Sequence, residues 1–262
     1  MTIVDLSEHF VPSYLCCLED WSEEMAEAGP HKATWYARMQ PKGLGVKLAL
    51  EGDQVVGMVQ YLPVEHAWVE GSGLYFIPCI WVHGYKGKGV GNWQHKGIGR
   101  ALLGAAEEEA RAKGAHGMAA WGLALPFWMK ASWFKRQGYR PADRMALQTL
   151  LWKPFTPEAR PPRWLRKRKE PTAGRDRVEV VAFLSGWCPA YNLTYERARR
   201  AAAACGDAVN FVTIDTSERA ALLEWGISDA LYIDGKPVHT GPPPSYEAMH
   251  RRIAKQVRRL RR

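Results

Sequence analysis

The clearest pattern of hydrophobic and polar positions in the chain is a strand, a glycine-rich loop and a helix in succession. Residues 74–82 form an apolar run that predicts a buried strand. Residues 100–114 have the apolar spacing of a helix and end on a glycine, which favours a helix C-terminus. Glycines in the loop between them let the backbone approach a phosphate, and a helix N-terminus attracts anions. The pattern therefore predicts a site for a pyrophosphate-bearing cofactor.

Two common phosphate-binding loops are excluded by the residues around this helix N-terminus. A Walker loop continues with Lys-Ser/Thr, whereas Arg100 follows Gly99. A dinucleotide-binding loop needs a third glycine, where Leu102 stands, and an acidic residue after the next strand, where none is found. The pattern that remains is Gln/Arg-x-x-Gly-x-Gly/Ala, which Gln94, Gly97 and Gly99 satisfy.

This loop resembles the acyl-CoA-binding loop of the GNAT acetyltransferases. A predicted hairpin over 45–61, a helix over 126–137 that ends in Gly138-Tyr139, and a last strand over 145–152 extend the resemblance. The expected fold is a mixed α/β (α+β) sheet over residues 1–155, and the implied acyl donor is acetyl-CoA. The resemblance assigns the cofactor to Ile80, Trp81, Val82, Gln94, His95, Lys96, Gly97, Ile98, Gly99 and Arg100.

The groups that would transfer protons are less certain, because the chain departs from the family pattern. The family often places a tyrosine acid where Phe134 stands, and phenylalanine has no proton to give to a leaving thiolate. An ammonium group must lose a proton before it attacks, so a base is expected. The candidate bases are Glu65 and His66, after the third strand, and His83, at the end of the cofactor strand. Tyr139 is the candidate acid.

The chain changes in composition after residue 155. Residues 156–177 are rich in proline and basic side chains, which predicts a linker. Residues 178–262 are predicted to fold as strand, helix, strand, helix, a hairpin over 230–239 and a basic helix. This order resembles a YoaP-like thioredoxin-fold domain, which follows some GNAT domains. Cys188 would lie at a helix N-terminus, where the dipole stabilises a thiolate, but Tyr191 replaces the second cysteine of a Cys-x-x-Cys pair.

Composition limits the setting and the partners of the protein. The 262 residues are 47% hydrophobic and include 12 tryptophans, which is enough for folded cores. No apolar run approaches the roughly 20 residues that cross a bilayer. Five irregularly spaced cysteines and the lack of a signal peptide favour the cytoplasm. The net charge of +9 is concentrated at 160–169 and 251–262, so nucleic acid is an open partner, although too few aromatic residues accompany the charges to favour it.

Three functions of different classes follow from the sequence. The favoured one is acetyl-CoA-dependent N-acetyl transfer to a small amine or an amino-acid-like acceptor. Phe134 suggests a second function, in which the protein binds or senses acyl-CoA without catalysis. The third is a thiol or soft-metal function at Cys188, which is otherwise a structural residue; no other metal site is predicted. The sequence does not specify the acceptor or the oligomeric state.

Overall fold

The chain forms two units in a computed structural model that describes residues 1–125, 128–238 and 241–260. The first unit contains Met1–Trp21 and Tyr36–Leu165, and the second contains Ser22–Trp35 and Arg166–Arg262. Three sequence-based assignments fall outside the described residues: Pro126-Phe127 in a predicted helix, His239 in a predicted hairpin and Arg261-Arg262 in the basic tail. Among the described residues, no helix combines the length and the apolar character needed to cross a membrane.

The first unit is a seven-stranded mixed sheet with helices packed against it. The strands follow the order β1-β2-β3-β5-β6-β8-β7, and only β5 and β6 are parallel neighbours. Two further short strands, β4 and β9, pair with each other. The strands are β1 (Thr2–Asp5), β2 (Gly45–Glu51), β3 (Gln54–Pro63), β4 (Val69–Glu70), β5 (Leu74–Val82), β6 (Gly117–Leu123), β7 (Arg140–Met145), β8 (Gln148–Pro154) and β9 (Arg163–Trp164). The helices are α1 (Val11–Leu15), the end of α3 (His31–Met39), α4 (Ile98–Ala112) and α5 (Ala131–Arg136).

The two parallel strands separate after four paired residues, and this fork positions the candidate site. Pairing runs from Leu74 and Gly117 to Ile77 and Ala120. The next residue of β5 is Pro78, which has no N–H group to continue the ladder. Both strands then continue without pairing to each other, so the fork opens toward the end of β5 where α4 begins.

Helix α4 packs its apolar face on the sheet. Leu102, Leu103, Ala106 and Ala110 are buried on it, and the helix contacts β2, β3 and β5. Gly57 of β3 permits this approach, because a Cβ atom there would lie 3.1 Å from the side chains of both Ile98 and Leu102. The predicted helix over 100–114 is therefore present, two residues closer to the N-terminus than expected.

The structure corrects two predicted elements in the first unit. The strand predicted over 145–152 is a hairpin of β7 and β8, whose apolar tip is exposed at Met145 and Leu147. The helix predicted over 126–137 is shorter, because the main chain at Lys130 pairs with Leu123 instead of entering a helix. The segment 156–177 also contains structure: Trp164 is buried, and Arg163 and Trp164 form β9.

The second unit has a four-stranded sheet in the order β11-β10-β12-β13, in which only β10 and β11 are parallel. Its core is formed by β10 and β12 with the apolar faces of α6 and α8. The strands predicted at 178–184 and 209–215 are present with those bounds. The elements are α2 (Glu23–Glu27), the start of α3, β10 (Val178–Leu184), α6 (Pro189–Ala203), β11 (Val209–Asp215), α7 (Arg219–Trp225), β12 (Ala230–Ile233), β13 (Lys236–Pro237) and α8 (Tyr246–Leu260).

The segment 22–35 belongs to the second unit because it makes tight contacts there. The Arg197 guanidinium, only 8% exposed on α6, donates hydrogen bonds to the carboxylates of Glu24 and Glu27. Gly186 approaches the backbone of α3 so closely that a Cβ atom would lie 2.8 Å from the His31 carbonyl oxygen. The second unit is therefore built from two distant pieces of the chain.

Candidate active site

A groove of about 510 Å³ opens at the fork, between the unpaired end of β5, the N-terminus of α4 and helix α5. Nine of the ten predicted cofactor residues line it: Ile80, Trp81, Val82, Gln94, His95, Gly97, Ile98, Gly99 and Arg100. The tenth, Lys96, places its Nζ atom 3.9 Å from the centre of the Trp93 ring.

The N-terminus of α4 presents backbone N–H groups to this groove. Gly97 caps the helix with a left-handed φ of 81°, a conformation that favours glycine. Its carbonyl oxygen accepts the first helical hydrogen bonds, from the N–H groups of Arg100 and Ala101. The N–H groups of Ile98 and Gly99 precede these bonds, so they have no helical acceptor. Both residues line the groove, which gives it the geometry of an anion-binding site.

Basic side chains line the groove, and a hydrogen bond fixes the loop that precedes α4. Arg100, Lys130 and Arg136 line it and carry positive charge at neutral pH. The Gln94 side chain donates a hydrogen bond of 3.2 Å to the Val82 carbonyl oxygen, which ties the loop to the end of β5.

The far wall of the groove is formed by residues that the sequence analysis did not assign to the cofactor. Trp128, Met129, Lys130 and Trp133 come from the segment before α5 and from α5 itself. Phe134 is fully buried and also lines the groove. The signal that would have revealed this wall is the aromatic spacing of Trp128, Trp133 and Phe134 directly after the strand that borders the fork.

His83 lies next to the groove, but it is fully buried and both of its ring nitrogens have partners. Nδ1 is 2.5 Å from the Gly91 carbonyl oxygen, which can only accept, so Nδ1 carries the proton. Nε2 then accepts a hydrogen bond of 3.3 Å from the Trp21 indole N–H. The His83 carbonyl oxygen also accepts from the Trp93 N–H. His83 therefore anchors the loop over residues 84–93, and no lone pair is directed at the groove.

The other predicted proton-transfer residues do not line the groove. Glu65 is exposed and accepts a hydrogen bond from the Gly73 N–H, at the beginning of β5. The groove lies at the other end of this nine-residue strand, about 25 Å away at the usual rise per residue. His66 belongs to the same turn as Glu65. Tyr139 is buried against Phe134. Burial is the main reason why the pKa of Tyr139 lies well above its ordinary value, and the neighbouring Glu107 carboxylate raises this pKa further.

The sequence of the N-terminal half is similar to a known family. Residues 3–126, just under half of the chain, match the acetyltransferase (GNAT) family. This part of the chain is therefore a GNAT-like domain. The match confirms the predicted enzyme class, an acyltransferase, and acetyl-CoA as the acyl donor agrees with it. No curated protein sequence is similar enough to count as a match.

Several solved structures resemble the GNAT domain at low identity. The PaiA N-acetyltransferase from Thermoplasma acidophilum, in complex with coenzyme A, is 17% identical, with 59% of this chain and 100% of that chain covered and a TM-score of 0.44. A ribosomal-protein-alanine N-acetyltransferase from Brucella melitensis is 19% identical, with coverage of 59% and 100% and a TM-score of 0.44. A GNAT family acetyltransferase from Elizabethkingia anophelis with bound acetyl-CoA is 17% identical, with coverage of 59% and 97% and a TM-score of 0.40. At such values the resemblances do not identify the acceptor of this GNAT domain.

Cys188, the remaining candidate residue, lies in the second unit and not in the GNAT domain. It caps α6 and is 9% exposed, and its carbonyl oxygen accepts from the N–H groups of Tyr191 and Asn192. Next to it, the Trp187 indole donates to the carboxylate of Asp229, which also accepts from Ser185. Burial raises the pKa of Asp229, although these hydrogen bonds oppose the shift. Among the described residues, no three His, Cys, Asp or Glu side chains are grouped so that they could hold a metal ion.

Proposed function

We propose that the protein transfers an acetyl group from acetyl-CoA to the amine of a small molecule or an amino-acid-like acceptor. The observation that carries this proposal is the open N-terminus of α4 at one end of the groove. There the N–H groups of Ile98 and Gly99 and the side chain of Arg100 would hold the pyrophosphate. Lys130 and Arg136 add positive charge that complements a further phosphate.

The unpaired end of β5 provides the second requirement, which is a fixed position for the thioester. Ile80, Trp81 and Val82 line the groove beyond the last pair between β5 and β6. The Val82 carbonyl oxygen is engaged by Gln94, and the other backbone groups of these residues on the side of β6 are available to hydrogen-bond the amide groups of the pantetheine arm. Positioning of this kind contributes a large part of the rate of acyl transfer.

The proton-transfer steps are assigned to solvent and not to Glu65, His83 or Tyr139. Glu65 lies at the other end of β5, the His83 nitrogens are both engaged, and Tyr139 is buried with a raised pKa. Phe134 occupies the groove wall where the family often has an acid. The acceptor amine would then lose its proton to water before attack, and water would protonate the leaving thiolate. We expect acetyl transfer by this route to be slower than in an enzyme that has its own general base, but still to occur.

The cofactor site is tested by calorimetric titration of acetyl-CoA into wild-type protein and two matched glycine variants. Gly97 and Gly87 both have left-handed φ angles, of 81° and 70°, and a Cβ atom at either would meet nothing within 4 Å. Gly97→Glu and Gly87→Glu therefore add the same strain and the same charge, but only Gly97 lies at the helix N-terminus. We expect micromolar binding by the wild type, a loss of at least about 100-fold in Gly97→Glu and less than about 3-fold in Gly87→Glu, since about 1.4 kcal/mol corresponds to a factor of ten.

The outcomes of this titration also separate the alternative functions. Failure of the wild type to bind would reject the acetyltransferase proposal and direct attention to Cys188. Binding without release of the CoA thiol against a broad panel of amines would favour an acyl-CoA sensor. We assign the second unit a thioredoxin-like fold on the order of its elements, and Cys188 a structural role on its burial. All five cysteines are free thiols, which supports a cytoplasmic location.

Helix α8 supports a second, accessory function in binding nucleic acid. Five exposed basic residues fall within an arc of about 120° on this helix at 100° per residue, opposite the buried Met249 and Ile253: Arg251, Arg252, Lys255, Arg258 and Arg259. The apolar face of α8 is buried in the core of the second unit, so α8 would contact a nucleic acid through basic side chains that bind the phosphate backbone. Binding of a DNA duplex that weakens with salt, and that is lost when Arg251, Lys255 and Arg258 are changed to Glu, would support this function. Absence of binding at low salt would reject it.

A further inference from the structure

The fork between β5 and β6 is filled at its closed end by a tryptophan. The Trp121 indole N–H donates a hydrogen bond of 2.8 Å to the carbonyl oxygen of Pro78, the first residue of β5 after the pairing ends. Trp121 belongs to β6 and is 5% exposed. The side chain therefore takes the place of a backbone donor and bridges the two strands where they separate.

The main chain before α5 occupies the rest of the space beside β6. The Leu123 N–H donates to the Met129 carbonyl oxygen at 2.7 Å, and Leu123 pairs with Lys130 in parallel. β8 already pairs with β6 along its whole length, so this added pairing uses the edge that β5 has left. The groove is thus closed between β6 and the segment 128–130.

A second tryptophan joins this closed end to the groove. The Trp128 ring meets the Trp121 ring edge to face, with 5.3 Å between the ring centres. Trp128 also lines the groove and is 37% exposed, whereas Trp121 does not line it. Trp128 is therefore the surface that a bound molecule would touch, and Trp121 is the support behind it.

We propose that Trp121 and Trp128 form a wedge that ends the groove and limits the acyl group of the donor to a short chain such as acetyl. The inference rests on the proposed function. With the pyrophosphate at the N-terminus of α4 and the pantetheine arm along Ile80–Val82, the acyl group reaches the apex of the fork. A chain with two more methylenes would have to displace the Trp128 ring or leave the groove.

Equilibrium binding tests the wedge without knowledge of the acceptor. The probes are CoA, acetyl-CoA, butyryl-CoA and hexanoyl-CoA, titrated into the full-length wild type and into Trp128→Ala, Trp121→Phe and Trp93→Ala. We expect the wild type to bind butyryl-CoA about 10-fold more weakly than acetyl-CoA. Trp128→Ala should bring the two affinities within about 2-fold of each other, because the end of the groove is enlarged.

The other two variants distinguish a specific effect of the wedge on acyl-chain length from a general loss of affinity when an aromatic side chain is removed. Trp93 lines the groove beside Lys96, away from the apex, so Trp93→Ala should weaken all four ligands by a similar factor and keep their ratios. Trp121→Phe removes the hydrogen bond to Pro78 and keeps a ring behind Trp128, so the preference for acetyl-CoA over butyryl-CoA should be only partly reduced.

Equal binding of acetyl-CoA and butyryl-CoA by the wild type would overturn the inference, as would an unchanged ratio in Trp128→Ala. In both cases CoA still binds, so the proposed function would stand. If the wild type binds none of the four ligands, both the proposed function and the wedge are rejected.

Discussion

Two helices of this chain follow similar elements, but their N-termini lie in different surroundings. Both α4 and α6 have 15 residues, and both follow a central strand and a glycine-containing loop. α4 begins at an exposed glycine, and its first N–H groups lie on an open groove. α6 begins after a buried segment, 185–188, and its first residue is Pro189, which has no N–H group to offer. A helix dipole alone therefore does not make a site; the residues around the first turn decide whether a ligand can reach it.

The ion pairs of the two helices also have opposite polarity, because α4 contributes the acidic partners and α6 contributes a basic one. α4 contributes acids: Glu107 bonds the Lys153 ammonium at 2.7 Å, and Glu109 pairs with Lys47 of β2. α6 contributes the buried cation Arg197, which binds acids of the segment 22–35. If these pairs fix the two helices in place, their removal should lower stability, and loss of the buried Arg197 should cost more than loss of the more exposed Glu109.

Removal of Arg197 gives the largest expected effect. Its guanidinium contacts Glu24, Glu27 and the Pro244 carbonyl oxygen, so Arg197→Leu leaves three acceptors without this donor. We expect the free energy of unfolding to fall by about 2 kcal/mol, which is less than for a fully buried pair because the Glu24 and Glu27 carboxylates that remain are partly solvated. Urea unfolding followed by circular dichroism measures this loss.

Arg199 is the matched control for Arg197. It lies on the same helix, is exposed and, within the described part of the chain, forms an ion pair with Glu196, three residues earlier. Arg199→Leu should lower the free energy of unfolding by less than about 0.5 kcal/mol, because exposed pairs contribute little. Equal losses in the two variants would mean that burial of the pair on α6 does not stabilise it.

The sequence predicted the α4 side of this comparison better than the α6 side. The loop that is predicted to bind phosphate is local: Gln94, Gly97 and Gly99 lie within six residues, and their spacing is enough to predict the turn and the helix N-terminus. The contacts of Arg197 with Glu24 join residues 173 positions apart, and no pattern in either segment indicates the other.

The roles of the candidate proton-transfer residues stay predictions, and the sequence could not show where the fold would place these residues. Glu65 and His83 were chosen because each follows a strand of the predicted sheet, and both do follow one. β3 runs antiparallel to β5, so Glu65, after the end of β3, lies beside the start of β5, and the engagement of His83 depends on Trp21, 62 residues away. The Trp128 wall was missed because the aromatic residues after β6 were assigned only to a helix, and their spacing was not related to the fork beside them.

Loss of charge at Glu109 should have a smaller effect, and that effect should depend on pH. Burial raises the pKa of Glu109, but hydrogen bonds from Lys113, Lys47 and Tyr61 outweigh it and lower the pKa from 4.5 to about 2. A lowered carboxyl pKa stabilises the fold above pH 4.5, and the stabilisation is lost as pH falls toward 2. Because Glu109 is partly exposed, we discount the shift for solvent screening and expect Glu109→Gln to cost about 1–2 kcal/mol at pH 7.

The pH dependence of Glu109 is measured by urea unfolding at pH 7, 5 and 3. The difference between wild type and Glu109→Gln should be constant from pH 7 to 5 and smaller at pH 3. Glu108 is the control, since it is the preceding residue of α4 and is exposed. Glu108→Gln should have almost no effect at any of the three pH values. A constant difference for Glu109→Gln down to pH 3 would contradict the lowered pKa.

The smallest expected change concerns Cys188, and it tests the contrast between the helix N-termini directly. An open helix N-terminus would stabilise the thiolate and make Cys188 the most reactive thiol of the chain. The buried N-terminus of α6 should instead slow its reaction, so alkylation of the folded protein by iodoacetamide should modify Cys188 more slowly than the half-buried Cys205. Burial raises the pKa of Cys205, so a still slower Cys188 cannot be explained by an unusually reactive reference.

Peptide mass spectrometry over time measures both rates, and Cys188→Ser should bind acetyl-CoA like the wild type. If Cys188 is alkylated first, access to α6 resembles access to α4, and a thiol function for the second unit becomes the better explanation.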